Sequence, residues 1–534
     1  MHIDQSQKRA HTSTELTLDD VDLCTSAFIR MHRHPIMALD VGCANILACH
    51  VNLFLGTIAP LIPRRPDLKP LVERALKGEV MGNFLLTEVG HGLDILGLET
   101  VAEKVEDGFI LHTPNSSACK FMPPTMPHPV IPKVAIVFAR LMVGKDDRGI
   151  HPFLLPTSYP GRMHSRVSAV LLPPRNGTCA LDYALTSFDQ VKLPPSAFLG
   201  ADYLSVTDHH ALLKQYIRRI TLGQICIPMV AVTGIKLTAC IGVDYSYRRH
   251  VQGTRGDKFP IMSFRTQQLP VLYSVAVAHV LDAWSNNVAQ ALESRVVEGD
   301  VLQGMATIFK TTVCRFTVQS YREVAERLGA QGTFGHNFVS RIEMDMRGLV
   351  IAEGDVTTIA IRLFSELLQR KYTLPQCTHE GTLLEKHARG VYNRCAQLLG
   401  GLPDGHRDPL FNALVLPQCE RGVLALGCSY AYSCALDAGV PRVLLDLFEC
   451  AAIRMDPAWY TEVEGIGEME RIMREHRAVT AMLPHVQELA DGLKIRHVIP
   501  VPILSDAAWD AWVESLVHKK EALSHFFGPS PARL

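Results

Sequence analysis

The 534-residue chain lacks any excess of charge: 53 Lys and Arg stand against 54 Asp and Glu, a formal net charge of -1. A polyanion-binding surface is not expected from that balance, so nucleic acid is set aside as a partner, although a local basic funnel for one nucleotide fits within it. The chain also lacks Cys-x-x-Cys pairs and Cys/His clusters at zinc-ligand spacing. Its 14 cysteines read as free thiols of a reducing compartment, with no metal site. No apolar core interrupts the polar stretch Met1 to Thr17, so no signal peptide is expected and the start reads as a loose tail. An unbroken apolar run of spanning length is missing too. Val41 to Pro63 comes nearest, but Asn45, His50 and Asn52 fall inside it and Gly56 and Pro60 break it, which predicts a buried helix pair and no membrane span.

Several motifs of known chemistry are absent. Gly90-x-Gly92 is followed by Gly97, where the dinucleotide spacing needs a glycine at position 95. There is no G-x-x-x-x-G-K-[ST], no G-x-S-x-G and no H-E-x-x-H, which removes kinase, hydrolase and zinc-peptidase readings along with the Rossmann one. No internal repeat is visible.

What remains is a globular chain, 47% hydrophobic and 20% charged, long enough for two to four domains. Helical apolar spacing runs through residues 36 to 80, as in Leu47, Val51, Phe54 and Ile58 and then Leu71, Val72 and Leu76. From Phe84 to about Gly200 the pattern changes to short runs such as Val134 to Phe138, cut by Pro and Gly, which predicts antiparallel strands in a barrel or sandwich. Helical periodicity returns from Leu204, with helices around Ile217 to Ile225, Leu269 to Val288 and Val301 to Leu328. Leu374 to Gly381 reads as a linker before a last helical unit. The expected architecture is α+β, with an N-terminal helical domain (1–83), a middle antiparallel β domain (84–203), a helical bundle (204–373) and an extra C-terminal helical domain (382–534).

Two segments carry chemistry. Ala352-Glu353-Gly354-Asp355-Val356-Thr357-Thr358 puts a carboxylate at the mouth of a helix, where on residues alone it would stabilise the helix N-terminus. Leu86-Thr87-Glu88-Val89-Gly90-His91-Gly92 lies about 265 residues upstream, and Thr87 there reads as a turn or cap residue. Together they resemble the flavin-dependent acyl-CoA oxidase and dehydrogenase superfamily, most closely its oxidases, in which a Glu-Gly step carries the catalytic base and a Thr-Glu-x-Gly-x-Gly loop holds the isoalloxazine. The similarity begins at Asp40 to Ile58, extends to about residue 370, and matches the α, β, α, α order of acyl-CoA oxidases.

The resemblance implies FAD as cofactor, an acyl-CoA or other acyl thioester as substrate, oxygen as electron acceptor and a homodimer. It implies that Glu353 removes the α-proton of the thioester as the β-hydrogen leaves as hydride to flavin N5, and that burial raises its pKa for that task. Thr87, Gly90 and Gly92 would hold the flavin ring. Tyr245-Ser-Tyr-Arg-Arg249 is similar to the family's Tyr-x-x-x-Arg, whose Arg, here Arg249, pairs with the FAD pyrophosphate of a neighbouring subunit; without the resemblance Arg249 reads as an exposed helix charge. Leu328 to Gly332 resembles a Gly-Gly-x-Gly turn beside the adenosine, which assigns Gly329 and Gly332 and leaves Ala330 in place of one glycine. Arg218 is similar in place to an Arg ahead of the family's bundle glycine and would meet the substrate. His91 and His112 receive no role.

The chain departs from the family at three places. Lys120 to Pro127 stands where oxidases have Lys-Trp-Trp-Pro-Gly-Gly-x-Gly, so Pro124 and Pro127 offer the flavin no N–H. Phe264-Arg265-Thr266-Gln267-Gln268 replaces Phe-Gln-x-x-Gln and puts Arg265 where a flavin-contacting Gln stood. Arg166 to Gly177 is rich in Pro and poor in Gly. These changes point to a specialised acyl substrate. Two alternatives follow from them: a scaffold of the same fold that binds an acyl thioester without turnover, and a monooxygenase or non-redox variant. The terminal Ala532-Arg533-Leu534 is like the peroxisomal Ser-Lys-Leu address, which with the resemblance predicts peroxisomal import, and otherwise a cytoplasmic protein.

Overall fold

The structure, a computed structural model, describes residues 16–177, 181–201, 203–204 and 208–516. The tail before residue 16 and Ala532-Arg533-Leu534 lie outside the described residues.

Asp40 opens the helix Val41–Leu47 by accepting from the Cys43 amide at 3.0 Å, and the helix continues as the π-helical turns of Ala48–Leu55. Leu47, Val51, Phe54 and Ile58 are each at most 2% exposed, as their spacing predicts. The interior polar groups are placed by hydrogen bonds. His50 bonds the Ala75 carbonyl at 3.0 Å through Nε2 and accepts from the Gly82 amide at 2.9 Å through Nδ1, so a neutral ring joins this helix to Lys69–Leu76 and to the first strand. Among the described residues two stretches, Val41–Leu61 and Arg218–Arg248, are long and apolar enough to cross a membrane, with mean hydropathy 1.6 and 1.8. Most of each is packed inside the protein, 78% and 94% of its most apolar window.

The β domain comprises β1 (Met81–Leu85), β2 (Val101–Val105), β3 (Gly108–His112), β4 (Lys120–Phe121), β5 (Lys133–Val143), β6 (Asp146–Tyr159), β7 (Arg162–Met163), β8 (Val167–Leu171), β9 (Ala184–Phe188) and β10 (Val191–Leu193). The long β5–β6 hairpin, with Val137 opposite Phe153, centres a seven-stranded sheet of order β10-β3-β2-β5-β6-β7, and β1 joins it by pairing with β5. A three-stranded sheet, β4-β9-β8, lies apart. The expectation of purely antiparallel strands needs correction: β1 and β2 both run parallel to β5. Parallel neighbours need a crossover, and the β3–β4 excursion between β2 and β5 supplies it. Leu85, Leu111, Val137, Phe153 and Leu155, all at most 1% exposed, interdigitate as this domain's own core.

Three long helices, Arg218–Arg248, Arg265–Ser294 and Gly299–Arg327, pack on one another, and Val339–Ile351 and Val356–Leu368 complete the bundle. Irregular chain from Gln369 to Thr382 leads to Leu383–Gly400, Leu416–Asp437, Arg442–Met455 and Glu468–Met482. Of these, Leu416–Asp437 and Arg442–Met455 lie along the Arg265–Ser294 helix and share its core.

Candidate active site

Glu353 lies in the turn between Val339–Ile351 and Val356–Leu368. The helix-terminal role expected of its carboxylate on residues alone is taken by Asp355 instead, whose Oδ1 accepts from the Thr358 amide at 3.0 Å. Glu353 has φ of +58° and Gly354 +101°, so the chain turns left-handed over two residues. Three hydrogen bonds from two side chains grip that turn. The buried Lys310 ammonium donates to the carbonyls of Ala352 and, at 2.6 Å, Gly354, while Gln224 Nε2 donates to the Glu353 carbonyl at 2.8 Å.

The Glu353 carboxylate packs against Gly223 of the Arg218–Arg248 helix. A Cβ at Gly223 would stand 2.6 Å from Glu353 Cδ, so only glycine leaves the space. Burial of the carboxylate pushes its pKa up to about 8, against the opposing pull of the Lys310 charge. The Cys49 and Cys226 thiols lie within electrostatic reach of it. A carboxyl so placed gives up its proton near neutral pH and takes one back readily, as a general base requires.

The Thr87 loop is built on a buried ion pair. Glu88, 1% exposed, meets the Lys120 ammonium at 2.8 Å and also accepts from the amides of Glu99 at 2.8 Å and Thr100 at 3.0 Å. Burial alone would raise the Glu88 pKa, but Lys120 and these amides outweigh it and hold it below the ordinary value. The Phe121 amide bonds the Thr87 carbonyl at 2.9 Å, so the two flavin-loop candidates are laced together. Thr87's hydroxyl has no partner among the described residues, and a Cβ at Gly92 would meet open space, whereas one at Gly90 would strike Ser117 at 2.8 Å. His91 bonds Glu99 at 2.7 Å, a structural role.

Pro124 turns inward. It is buried, with its carbonyl accepting from Lys133 Nζ at 2.7 Å while Lys133 pairs with Asp182 at 2.5 Å. It anchors the loop from inside, and the exposed residue of this segment is Phe121, 40% accessible. A small cavity of about 20 Å³ beneath the loop is lined by Ile46, Cys49, Asn83, Pro124, Lys133 and Asp182.

The remaining candidates gather elsewhere. Gln267 Nε2 bonds Ser246 Oγ at 2.8 Å and the Arg327 carbonyl at 3.1 Å, and the Ile261 amide bonds the Arg249 carbonyl, which brings the Tyr245–Arg249, Phe264–Gln268 and Leu328–Gly332 segments together. Arg249 is exposed and its guanidinium has no partner among the described residues. Arg265 reaches Thr480 at 2.9 Å through Nη2, while its Nη1 is buried without a partner. Gly329 has φ of +58°, and a Cβ at Gly332 would stand 2.0 Å from the Ala325 carbonyl oxygen. Gly223, beside Glu353, and Tyr245 stand twenty-two residues apart on one helix that contains Pro228, at most about 33 Å at 1.5 Å per residue. Glu353 and the Arg249 group thus lie toward opposite ends of that helix.

No family model matches the chain. Among curated proteins, human peroxisomal acyl-coenzyme A oxidase 3 is 23% identical over 387 residues, 66% of this chain and 53% of its own length. Peroxisomal acyl-coenzyme A oxidase 1 of Arabidopsis thaliana is 24% identical over 472 residues, 82% of this chain and 65% of its own. The chain therefore spans between about half and two thirds of these relatives. Acyl-coA oxidase1 from Yarrowia lipolytica superposes with a TM-score of 0.81 at 18% identity, covering 100% of this chain and 90% of that one. The fold is that of the acyl-CoA oxidases. The expected resemblance and the α+β class are borne out.

Within the acyl-CoA oxidase fold, some residues escape sequence reasoning. Arg218 is at the surface, its side chain about half exposed and 3.6 Å from Asp22. Its neighbour Arg219 is the buried one, donating to the Asn52 carbonyl at 2.9 Å and the Val21 carbonyl at 2.9 Å and so tying the first helical layer to the bundle. Two adjacent arginines in a helix carry no sequence sign of which one turns inward. Lys310, Gln224, Lys133 and Asp182 were equally invisible, because their partners are backbone carbonyls or residues dozens of positions away.

Proposed function

We propose that the chain is an FAD-dependent acyl-CoA oxidase that introduces an α,β double bond into an acyl thioester. The observation that carries this reading is the Glu353 carboxylate, buried against Gly223 on a gripped left-handed turn, with the helix cap assigned elsewhere. Glu353 is the base that removes the α-proton at its carboxylate oxygen, and its raised affinity for protons suits a weakly acidic α-carbon. The residues present fit a flavin: among the described residues Thr87 has a hydroxyl without partner, Arg265 an unpartnered buried N–H and Arg249 an unpaired guanidinium, and the backbone at Gly92 is open. Bound FAD would supply the acceptor for the β-hydrogen as hydride, with oxygen as the final acceptor.

The separation of up to about 33 Å along the helix between Gly223, beside Glu353, and Tyr245 supports a homodimer in which Arg249 of one chain serves the cofactor beside the Glu353 of its partner. A Caenorhabditis elegans acyl-CoA oxidase-2 described as bound with FAD, ascaroside-CoA and ATP has the same fold, TM-score 0.72 at 15% identity, which supports a CoA thioester as substrate class. Peroxisomal residence is proposed from the curated relatives, several of them peroxisomal by name.

The test is the visible spectrum of purified protein before and after anaerobic addition of a medium-chain acyl-CoA, then air. Bleaching of a flavin band followed by rapid recolouring supports the oxidase, and no bleaching with any acyl-CoA overturns it. The inward-turned Pro124 favours a second reading, a thioester-binding scaffold of the same fold. A colourless protein that FAD cannot reconstitute would put that reading first.

A further inference from the structure

Lys310 projects from the middle of the Gly299–Arg327 helix and is fully buried. Buried ammonium groups ordinarily meet a carboxylate, yet no ion pair involves Lys310 among the described residues. Its charge goes instead to two backbone carbonyls, those of Ala352 and Gly354, the residues on either side of Glu353. Gln224, from a second helix, takes the Glu353 carbonyl between them. Three successive carbonyls of one turn are thus held by side chains of two different helices. The amides of Glu353 and Gly354 donate to no described residue.

We infer that Lys310 is the positioning residue of this site, fixing the left-handed turn that aims the Glu353 carboxylate at Gly223 and polarising the Ala352–Glu353 peptide. The geometry carries both parts. A residue at φ +58° holds that conformation only where its surroundings impose it. A charged donor on a peptide carbonyl strengthens the N–H of the same peptide as a donor, and here that N–H is Glu353's own. One lysine thereby orders the base and sharpens the nearest backbone donor, which is suited to a thioester carbonyl; this last part rests on the oxidase reading.

The charge acts on Glu353 as well. The groups facing this carboxylate are Lys310, Cys49 and Cys226, with Asp355 and Cys314 adjoining the lysine. Among them Lys310 is the cation, so its loss leaves burial unopposed and moves Glu353's titration to higher pH.

The experiment compares the full chain with Lys310→Met, Lys310→Gln and Gln224→Leu. Amide exchange read by mass spectrometry over residues 349–357 reports the turn. Carbodiimide labelling of Glu353 against pH reports its titration, because the reagent takes the protonated carboxyl. In Lys310→Met, exchange in that segment is expected to rise at least about tenfold with the remainder of the bundle unchanged, and the labelling midpoint to move up by about one pH unit or more. Lys310→Gln keeps a donor without the charge, so its midpoint moves while exchange changes less. Wild-type exchange and midpoint in a folded Lys310→Met protein would overturn the inference. Should that variant fail to fold, Gln224→Leu must raise exchange in the same segment or the inference falls. Neither readout needs turnover: both shifts in a protein that no acyl-CoA reduces would defeat the oxidase reading alone, and intact reduction with neither shift would defeat the clamp alone.

Discussion

Replacing Glu353 by Gln removes one titrating proton site while keeping its shape, and the stability consequence has a definite sign. The folded carboxyl has a pKa of about 8 against 4.5 for an ordinary Glu. Below pH 4.5 both states hold the proton and Glu353 contributes no gradient. Between 4.5 and 8 the folded protein holds a proton that the unfolded chain has released, so stability falls as pH rises, and above 8 the decline ends. From pH 6 to 9 the slope acts over about two units at about 1.36 kcal/mol each, a loss of about 2.7 kcal/mol. Glu353 is partly accessible as a residue, so this is a ceiling, and at least about 1 kcal/mol is expected after screening. Urea unfolding of wild type and Glu353→Gln at pH 6 and pH 9, followed by circular dichroism, isolates it, since every other group cancels in the double difference. Equal pH losses in the two proteins would refute the buried carboxyl. The same value places the rising limb of anaerobic flavin reduction near pH 8, because the base must be unprotonated to act.

Three further outcomes are expected. Gly223→Ala pushes a methyl against Glu353 Cδ and displaces the carboxylate, so flavin stays bound while stopped-flow reduction slows by about 10²-fold or more. Lys120→Met strands the buried Glu88 carboxylate and should cost about 3–5 kcal/mol in thermal or urea unfolding, with loss of cofactor retention. Arg249→Ala removes an exposed cation without a partner among the described residues, so the melting temperature should hold while FAD dissociation measured by gel filtration and absorbance increases; unchanged retention would remove Arg249 from the cofactor site.

Much of the architecture was legible because it follows from period. Leu47, Val51, Phe54 and Ile58 repeat every three to four residues, and burying that stripe is the way the Val41–Leu61 segment leaves water. The change to short apolar runs cut by Pro and Gly after Phe84 marks the β domain for the same reason. Glu353 and Thr87 stood out through the resemblance of their segments, with the helical or turn roles of each still open on the residues alone. The direction of β1 and β2 beside β5 was not legible, since strand pairing joins residues some fifty positions apart and alternation is the same in either direction.

The sequence by itself therefore determined the order of helical and β units and singled out the two segments that carry the family resemblance, because periodicity and local motifs are properties of neighbouring residues. Tertiary structure alone decided how those segments are held. It gave the helix cap to Asp355 and left Glu353 free, turned Arg219 inward and Arg218 out, buried Pro124 on Lys133, and set Lys310 on the carbonyls flanking Glu353. Each of these depends on which distant group arrives within about 3 Å, and that distance is set by packing, which no local pattern records.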